Sequence, residues 1–329
     1  MLNLFYKEPD PDRWFPYDRY PRRIIRRIIR GEPRPGGQKM VYLNLKKGLD
    51  RLGIQYRDND FRYIRKHPDE LACIIGKPNV LFERDWQNPV LFGASVFSHP
   101  LACPDLFEQY PVRKILVPGP WMREMCVPYY GEERVEAWPT GIDTKEWKPS
   151  NPDSEKPVDV FIYDKVRWDH EEFEETLIQP IRDGLNRHGL VFEEIRYGYY
   201  EPTELADKLA RSKACIFLCE HETQGIAYQQ MLSSGVPLFA WDRGGYWQDP
   251  SYFPDRLKFK PVTSVPYWDG RCGMKFKDAK EFDERFGTFW ERLNAGEFAP
   301  RQYILENLTL EKCAMSYKKI ASNVKEQNC

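Results

Sequence analysis

The stretch "ETQGIAYQQMLSSGVP", Glu222 to Pro237, decides how this chain is read. It follows "KACIFLC" (Lys213 to Cys219), an apolar run with the length and content of a buried strand. Gly225 opens a segment in which Ile226, Ala227 and the pair Met231–Leu232 recur at helical spacing, and Gly235 then Pro237 stop it. A strand turning at once into a helix is the corner at which α/β sheets bind ligands. There the helix offers backbone N–H groups and the positive end of its dipole to an anion, and Gly225 lets backbone approach closely. Glu222 would supply an acceptor for hydroxyl groups just outside the helix. Gln230, eight residues on, lies about 12 Å along it, within reach of another part of an extended ligand. The residues alone leave a second reading open, in which Glu222 only caps the helix and Gln230 faces solvent.

Working outward, "VDVFIY", "VFEEIRYG" and "PLFAWD" read as further strands around this corner. "EEFEETLIQPIRDGLNRHG" and "PTELADKLARS" read as the helices between them. Upstream, "LNLFYK", "IQYRDN", "LACIIG", "PVLFGASVFS", "KILVPG" and "VEAWPTGID" form a first series of short apolar runs. The helix "QKMVYLNLKKGLDRLG", closed by Gly53, follows the first of them. Such alternation predicts parallel sheets covered by helices. The Pro-rich "WKPSNPDSEKP" reads as a linker between the two series. The expected organisation is a first Rossmann-like domain over 1–150, a second over 151–300 and a helical tail over 301–329. The tail carries Ala314, Tyr317, Ala321 and Val324 on one face.

Composition narrows the function classes. With 49 Lys plus Arg against 50 Asp plus Glu, no global field selects nucleic acid or a membrane. The cysteines are scattered without a C-x-x-C pair, which favours reduced core thiols of a cytoplasmic protein over a disulfide frame or a zinc site. The first residues show no signal-peptide pattern, and no apolar run approaches the roughly 18 residues of a membrane span. The triplets "DPD" (Asp10 to Asp12) and "DND" (Asp58 to Asp60) imitate a metal clamp. Nothing beside them supports that reading, and such triplets are ordinary turn residues, so no metal is expected.

Together these segments resemble the retaining glycosyltransferases built from two Rossmann domains, of the GT-B type and family-4-like. That family carries a Glu, a Gly three residues on, a second Glu eight after the first, then a small-Gly-x-Pro stop. Glu222, Gly225, Gln230 and "SSGVP" fall at those spacings, with Gln230 in place of the second glutamate. "FAWDRGG" (Phe239 to Gly245), "WPTGIDTKEWKP" (Trp138 to Pro149) and "RPGGQKMVYLNLKKGLDRLGIQY" from Arg34 are similar to other segments of the family. The resemblance implies an α/β chain of two Rossmann-like domains facing across a cleft, with the C-terminal helix packing back toward the first. It implies sugar transfer with retention, from a nucleotide-sugar to a hydroxyl acceptor on a glycan or lipid-linked glycan, without a metal or other cofactor. The departing phosphate would take the acceptor's proton, so no protein nucleophile is proposed.

By the same resemblance, Glu222 would hydrogen-bond the transferred sugar, and the backbone of Thr223, Gln224 and Gly225 would hold sugar and phosphate. Lys165 and Arg167 in "DKVRWDH" stand about where the family places its phosphate-binding cations, and solvated loop charges are the alternative. His99, before Pro100, would face the donor sugar, or is a plain turn histidine. Gly36 and Gly37 would bring backbone close to acceptor or phosphate. Gln230 alters the ribose contact, because an amide offers one acceptor oxygen and a donor NH₂ where a carboxylate accepts twice. A nucleotide-sugar epimerase or hydrolase of the same fold, and a catalytically weak binding protein, are the alternatives.

One segment stands outside that scheme. In "RRIIRRIIR", Ile24, Ile25, Ile28 and Ile29 share one helical face, with Arg22, Arg23, Arg26, Arg27 and Arg30 outside it. Trp14, Phe15 and Tyr17 lie upstream. The pattern fits an interfacial helix on an anionic membrane near a lipid-linked acceptor, where each cation contributes about 1 kcal/mol. It fits equally a surface helix that packs its isoleucines on the first domain. A nucleic-acid partner is not expected.

Overall fold

The computed structural model describes residues 1–8, 14, 15, 18–22, 25, 36–94, 97–150 and 155–326. The chain divides into two compact units. One comprises Met1–Pro118, Cys126–Trp138 and Ala314–Cys329, and the other Gly119–Met125 and Pro139–Cys313.

The first unit is built on six parallel strands: β1 (Leu2–Phe5), β2 (Tyr56–Asp58), β3 (Ala72–Ile74), β4 (Val90–Gly93), β5 (Val112–Val117) and β6 (Val135–Ala137). Their order is β2-β1-β3-β4-β5-β6. β1, β3 and β4 are buried at every position, as strands covered on both faces must be, which is why they read as continuous apolar runs. The helix Gly37–Arg51 buries Val41, Leu45 and Leu49, one residue per turn along one face. It ends where Gly53 takes φ +65° and the Ile54 N–H reaches back 2.9 Å to the Leu49 carbonyl, a Schellman closure. The tail helix Leu310–Glu326 contributes its residues from Ala314 onward to this unit, as expected. Tyr317 is buried there, edge-on to Trp138 at 5.1 Å.

The second unit carries β7 (Val158–Lys165), β8 (Phe192–Arg196), β9 (Ser212–Cys219), β10 (Leu238–Trp241) and β11 (Gly273–Phe276), all parallel in the order β11-β10-β9-β7-β8. Central β9 is almost wholly buried and contains the apolar run Lys213 to Cys219. Edge strand β8 carries Glu193, Glu194 and Arg196 and buries only Ile195, the charged character that blunts a sheet edge. Phe239 anchors the core on one face, packed on Phe276, Phe282 and Phe289 with ring centroids 4.7–5.4 Å apart. Burial of each such ring contributes about 2–3 kcal/mol. The helix expected over 171–189 is present from His170 to Arg187 but holds a wide turn at Glu174–Ile178. That turn ends two residues before Pro180, whose missing N–H interrupts the ladder.

Each sheet reverses its strand order once, between β1 and β3 in one and between β7 and β9 in the other. The crevice outside the carboxyl ends of strands at such a switch is where open α/β sheets hold ligands. Among the described residues, seven cysteines are free and buried, and no helix is long and apolar enough to cross a membrane.

Candidate active site

In the second unit, β7 and β9 pair side by side with Lys165 opposite Cys219. The residues just past those two strand ends therefore meet. Lys165 Nζ donates to the Glu222 carboxylate, and the two side chains are only 11% and 9% exposed. Burial works against the Lys165 charge, and the attraction of Glu222 more than offsets it, so the lysine pKa is raised. The ammonium also lies over the Tyr197 ring, 4.5 Å from its centroid.

Arg167 sits beside this pair. Its Nη2 donates to the His221 carbonyl at 2.7 Å, and its Nε lies 3.6 Å from Glu220 Oε2. Glu220 is fully buried and accepts the backbone N–H groups of Arg167 and Trp168 through Oε1, at 2.7 and 3.0 Å. The loop after β7 is thus tied to the loop after β9 by one carboxylate. His221 stacks on Trp168, centroids 5.2 Å apart, and stands edge-on to Trp121 at 5.8 Å. Desolvation, helped by the Arg167 charge, lowers its pKa to about 3, so the ring is neutral at ordinary pH. Its Nε2 accepts the Gln248 N–H at 3.0 Å.

Gly225 caps the helix Ile226–Ser233 in the left-handed region, at φ +76° and ψ 44°. A Cβ there would lie 2.0 Å from the Tyr228 ring, so glycine is required both by conformation and by space. No side chain caps the helix. Among the described residues the N–H groups of Ile226 and Ala227 have no hydrogen-bond partner, which leaves the positive helix end available to an anion. The Trp121 indole fixes the approach to this corner by donating to the Glu222 carbonyl at 2.7 Å. Gly119 crosses so close that a Cβ would stand 2.4 Å from the Thr223 carbonyl oxygen.

The candidate residues from the sequence fare differently. Lys165, Arg167, Glu222, Thr223 and Gly225 converge, and neither cation is a free loop charge. The Gln224 side chain is spent on structure: its Oε1 accepts the Thr140 N–H at 3.0 Å. Gln230 is half-buried, and its amide makes no hydrogen bond among the described residues.

His99 lies in the first unit and is 1% exposed. Its Nδ1 accepts the Leu101 N–H at 3.1 Å and its ring meets Tyr129 edge-on. Burial lowers its pKa to about 4. Its ring nitrogen thus caps the short turn at Pro100–Ala102.

Gly36 caps the helix Gly37–Arg51 at φ −64°, and among the described residues a Cβ on Gly36 or Gly37 would meet nothing within 4 Å. Arg22 is buried, its Nη2 3.8 Å from Asp18 and its guanidinium over Trp14. Arg23, Arg26, Arg27 and Arg30 lie outside the described residues, as does Asp10 to Asp12. Asp58 is held by Tyr42 and Lys46, and Asp60 caps the helix Phe61–Lys66. Among the described residues no group of three carboxylate, thiol or imidazole side chains could hold a metal ion.

Four participants escaped the sequence reading: Glu220, His221, Trp168 and Trp121. Glu220 carried a signal, since a charged residue directly after the apolar run of β9 must stand at a strand end. Trp121 carried none, being 101 residues from its partner.

No family model matches the chain, and no curated protein matches it. Solved structures do. The chain is similar to sucrose-phosphate synthase from Thermosynechococcus elongatus, with a TM-score of 0.58 and 11% identity over 89% of this chain and 94% of that one. It is similar to AviGT4, a glycosyltransferase involved in avilamycin A biosynthesis, with a TM-score of 0.55 and 13% identity over 89% and 91%. Similarity to TarM gives a TM-score of 0.55 and 12% identity over 79% of this chain, which spans 57% of TarM's length. At these identities the likeness is one of fold: the two parallel sheets have the architecture of GT-B glycosyltransferases.

Proposed function

We propose that the chain is a glycosyltransferase that moves a sugar from a nucleotide-sugar to a hydroxyl acceptor, with retention and without a metal. The observation that carries this reading is the convergence of Lys165, Arg167 and Glu222 at the β7–β9 switch point, beside the uncapped helix mouth at Gly225. The donor's diphosphate takes the Ile226 and Ala227 N–H groups and the two cations. These donors are fixed before the reaction, so they stabilise the charge that grows on the leaving group without reorganising. As the diphosphate engages Lys165, Glu222 is released from its ion pair to accept sugar hydroxyls. Its carboxylate then orients the sugar rather than attacking it, and the acceptor's proton leaves on the departing phosphate oxygen. Gln230, half-buried on the same helix, contacts the ribose through a neutral amide, a bond about half as strong as a carboxylate would give.

The test is incubation with UDP-, GDP-, ADP- and dTDP-sugars and simple hydroxyl acceptors, with products followed by NMR. A glycoside with the donor's anomeric configuration supports the reading. Inversion removes retention, and consumption of the donor without an acceptor selects an epimerase or hydrolase. The closed Lys165–Glu222 pair, together with Gln230, favours one other reading: a sugar-nucleotide-binding protein. It predicts a donor complex that never turns over.

A further inference from the structure

We infer that Glu220 is a positioning residue that presets Arg167 for an anionic ligand, an inference that rests on the diphosphate-site reading above. The carboxylate is buried without a route to solvent, so it has no part in binding hydroxyls. Its Oε1 holds two consecutive N–H groups of the loop after β7. Its Oε2 makes no hydrogen bond among the described residues and faces Arg167 Nε at 3.6 Å. The His221 carbonyl takes an Nη2 proton on the same guanidinium. A guanidinium has five N–H donors in a fixed fork. Glu220 and the His221 carbonyl occupy one edge, and the Arg167 side chain, 32% exposed, keeps the remaining donors for a ligand. The fork is held in one rotamer by groups that never touch that ligand, so less freedom is lost on binding.

Charge gives the inference a sign that separates it from simpler accounts. In the free site, Lys165 and Arg167 stand against Glu220 and Glu222, and Arg243 is also within electrostatic reach of Glu220, so much of the positive charge that a diphosphate meets is already offset. Glu220→Gln keeps an oxygen for the two backbone N–H groups and removes the negative charge. Glu220→Ala removes both. If Glu220 acts by anchoring, Glu220→Ala weakens affinity and Glu220→Gln does not.

The experiment titrates UDP, GDP, ADP and dTDP, with the matching monophosphates, into wild type and both variants. Hydrogen exchange of the free proteins is followed at the Arg167 and Trp168 amides. The expected result is at least tenfold weaker diphosphate binding by Glu220→Ala, little change for the monophosphate, and equal or tighter binding by Glu220→Gln. Protection of the two amides should fall in Glu220→Ala and persist in Glu220→Gln. Tighter binding by both variants overturns the inference in favour of charge alone. Equal weakening of monophosphate and diphosphate by both variants overturns it in favour of a general structural role, and wild-type behaviour of Glu220→Ala overturns it outright. Failure of wild type to bind any nucleoside diphosphate removes the diphosphate site itself, and the inference with it.

Discussion

The two sheets reverse strand order in the same way yet furnish the two switch points with opposite chemistry. Beyond β1 and β3 the chain places a stacked aromatic pair, Tyr6 on Tyr42 at 4.9 Å, and an exposed ion pair between Lys7 and Glu83. Beyond β7 and β9 it places two cations and two carboxylates, with Glu220 and Glu222 buried. Exposed pairs contribute at most about 1 kcal/mol, whereas breaking a buried one costs about 3–5 kcal/mol. A buried charge cluster at a strand end is therefore an expensive arrangement for stability alone, and it points to a site. The helix mouths follow the same division. Gly225 is required by its conformation and by Tyr228, while among the described residues a Cβ on Gly36 would meet nothing within 4 Å.

The contrast can be broken most severely at Glu222. Glu222→Ala should lower turnover by at least about 100-fold in steady-state assays with the donor that wild type accepts. Glu222→Gln, which keeps the shape, should recover stability before it recovers rate. Unchanged turnover in either variant removes the chemical distinction between the two switch points.

The glycines sharpen the contrast next. Gly225→Ala should cost on the order of 2–4 kcal/mol in denaturant unfolding, from left-handed strain and the displaced Tyr228 ring. Equal stability of Gly225→Ala and wild type would show that the second helix mouth is as open as the first.

Smaller effects come from the two buried histidines, one in each unit. Each has a folded-state pKa below the ordinary value of about 6.5, near 4 for His99 and near 3 for His221. Between those limits the unfolded chain binds more protons than the folded one, so stability is full above pH ~6.5 and falls as pH drops through 4 and then 3. Thermal melts across this range should show a shallower acid decline in His99→Asn and in His221→Asn. An identical slope in both variants would mean that neither ring is held neutral by the fold. At the bottom of the scale, Gly36→Ala should change stability by no more than about 0.5 kcal/mol, and a larger loss would place the first helix mouth under constraints like those of the second.

Much of the architecture was legible because it rests on local signals. β1, β3, β4, β7 and β9 are buried on both faces and appear as apolar runs, and Gly53 and Gly189 mark helix ends through positive φ. Short or amphipathic elements were not legible: the helices Phe61–Lys66 and Pro120–Tyr130, strand β11, and the helix Ala279–Asn294. β11 is four residues long and begins at a glycine, so its strand character comes from pairing with β10 rather than from propensity. At the site, Glu222 could be named because its strand-end position follows from the apolar run before it, and Lys165 and Arg167 through the resemblance. The reach of Glu220 to the loop after β7 and of Trp121 to Glu222 could not, since both cross long sequence separations. For His99 the sequence leaves both readings open, since a strand-end histidine beside a proline looks the same whether it faces a ligand or caps a turn.

The most direct test of the account is isothermal titration of UDP, GDP, ADP and dTDP into wild type and Lys165→Ala. The account predicts that at least one diphosphate binds wild type and that Lys165→Ala weakens it about tenfold or more. No binding by wild type, or equal affinity in the two proteins, would contradict a diphosphate at the β7–β9 switch point.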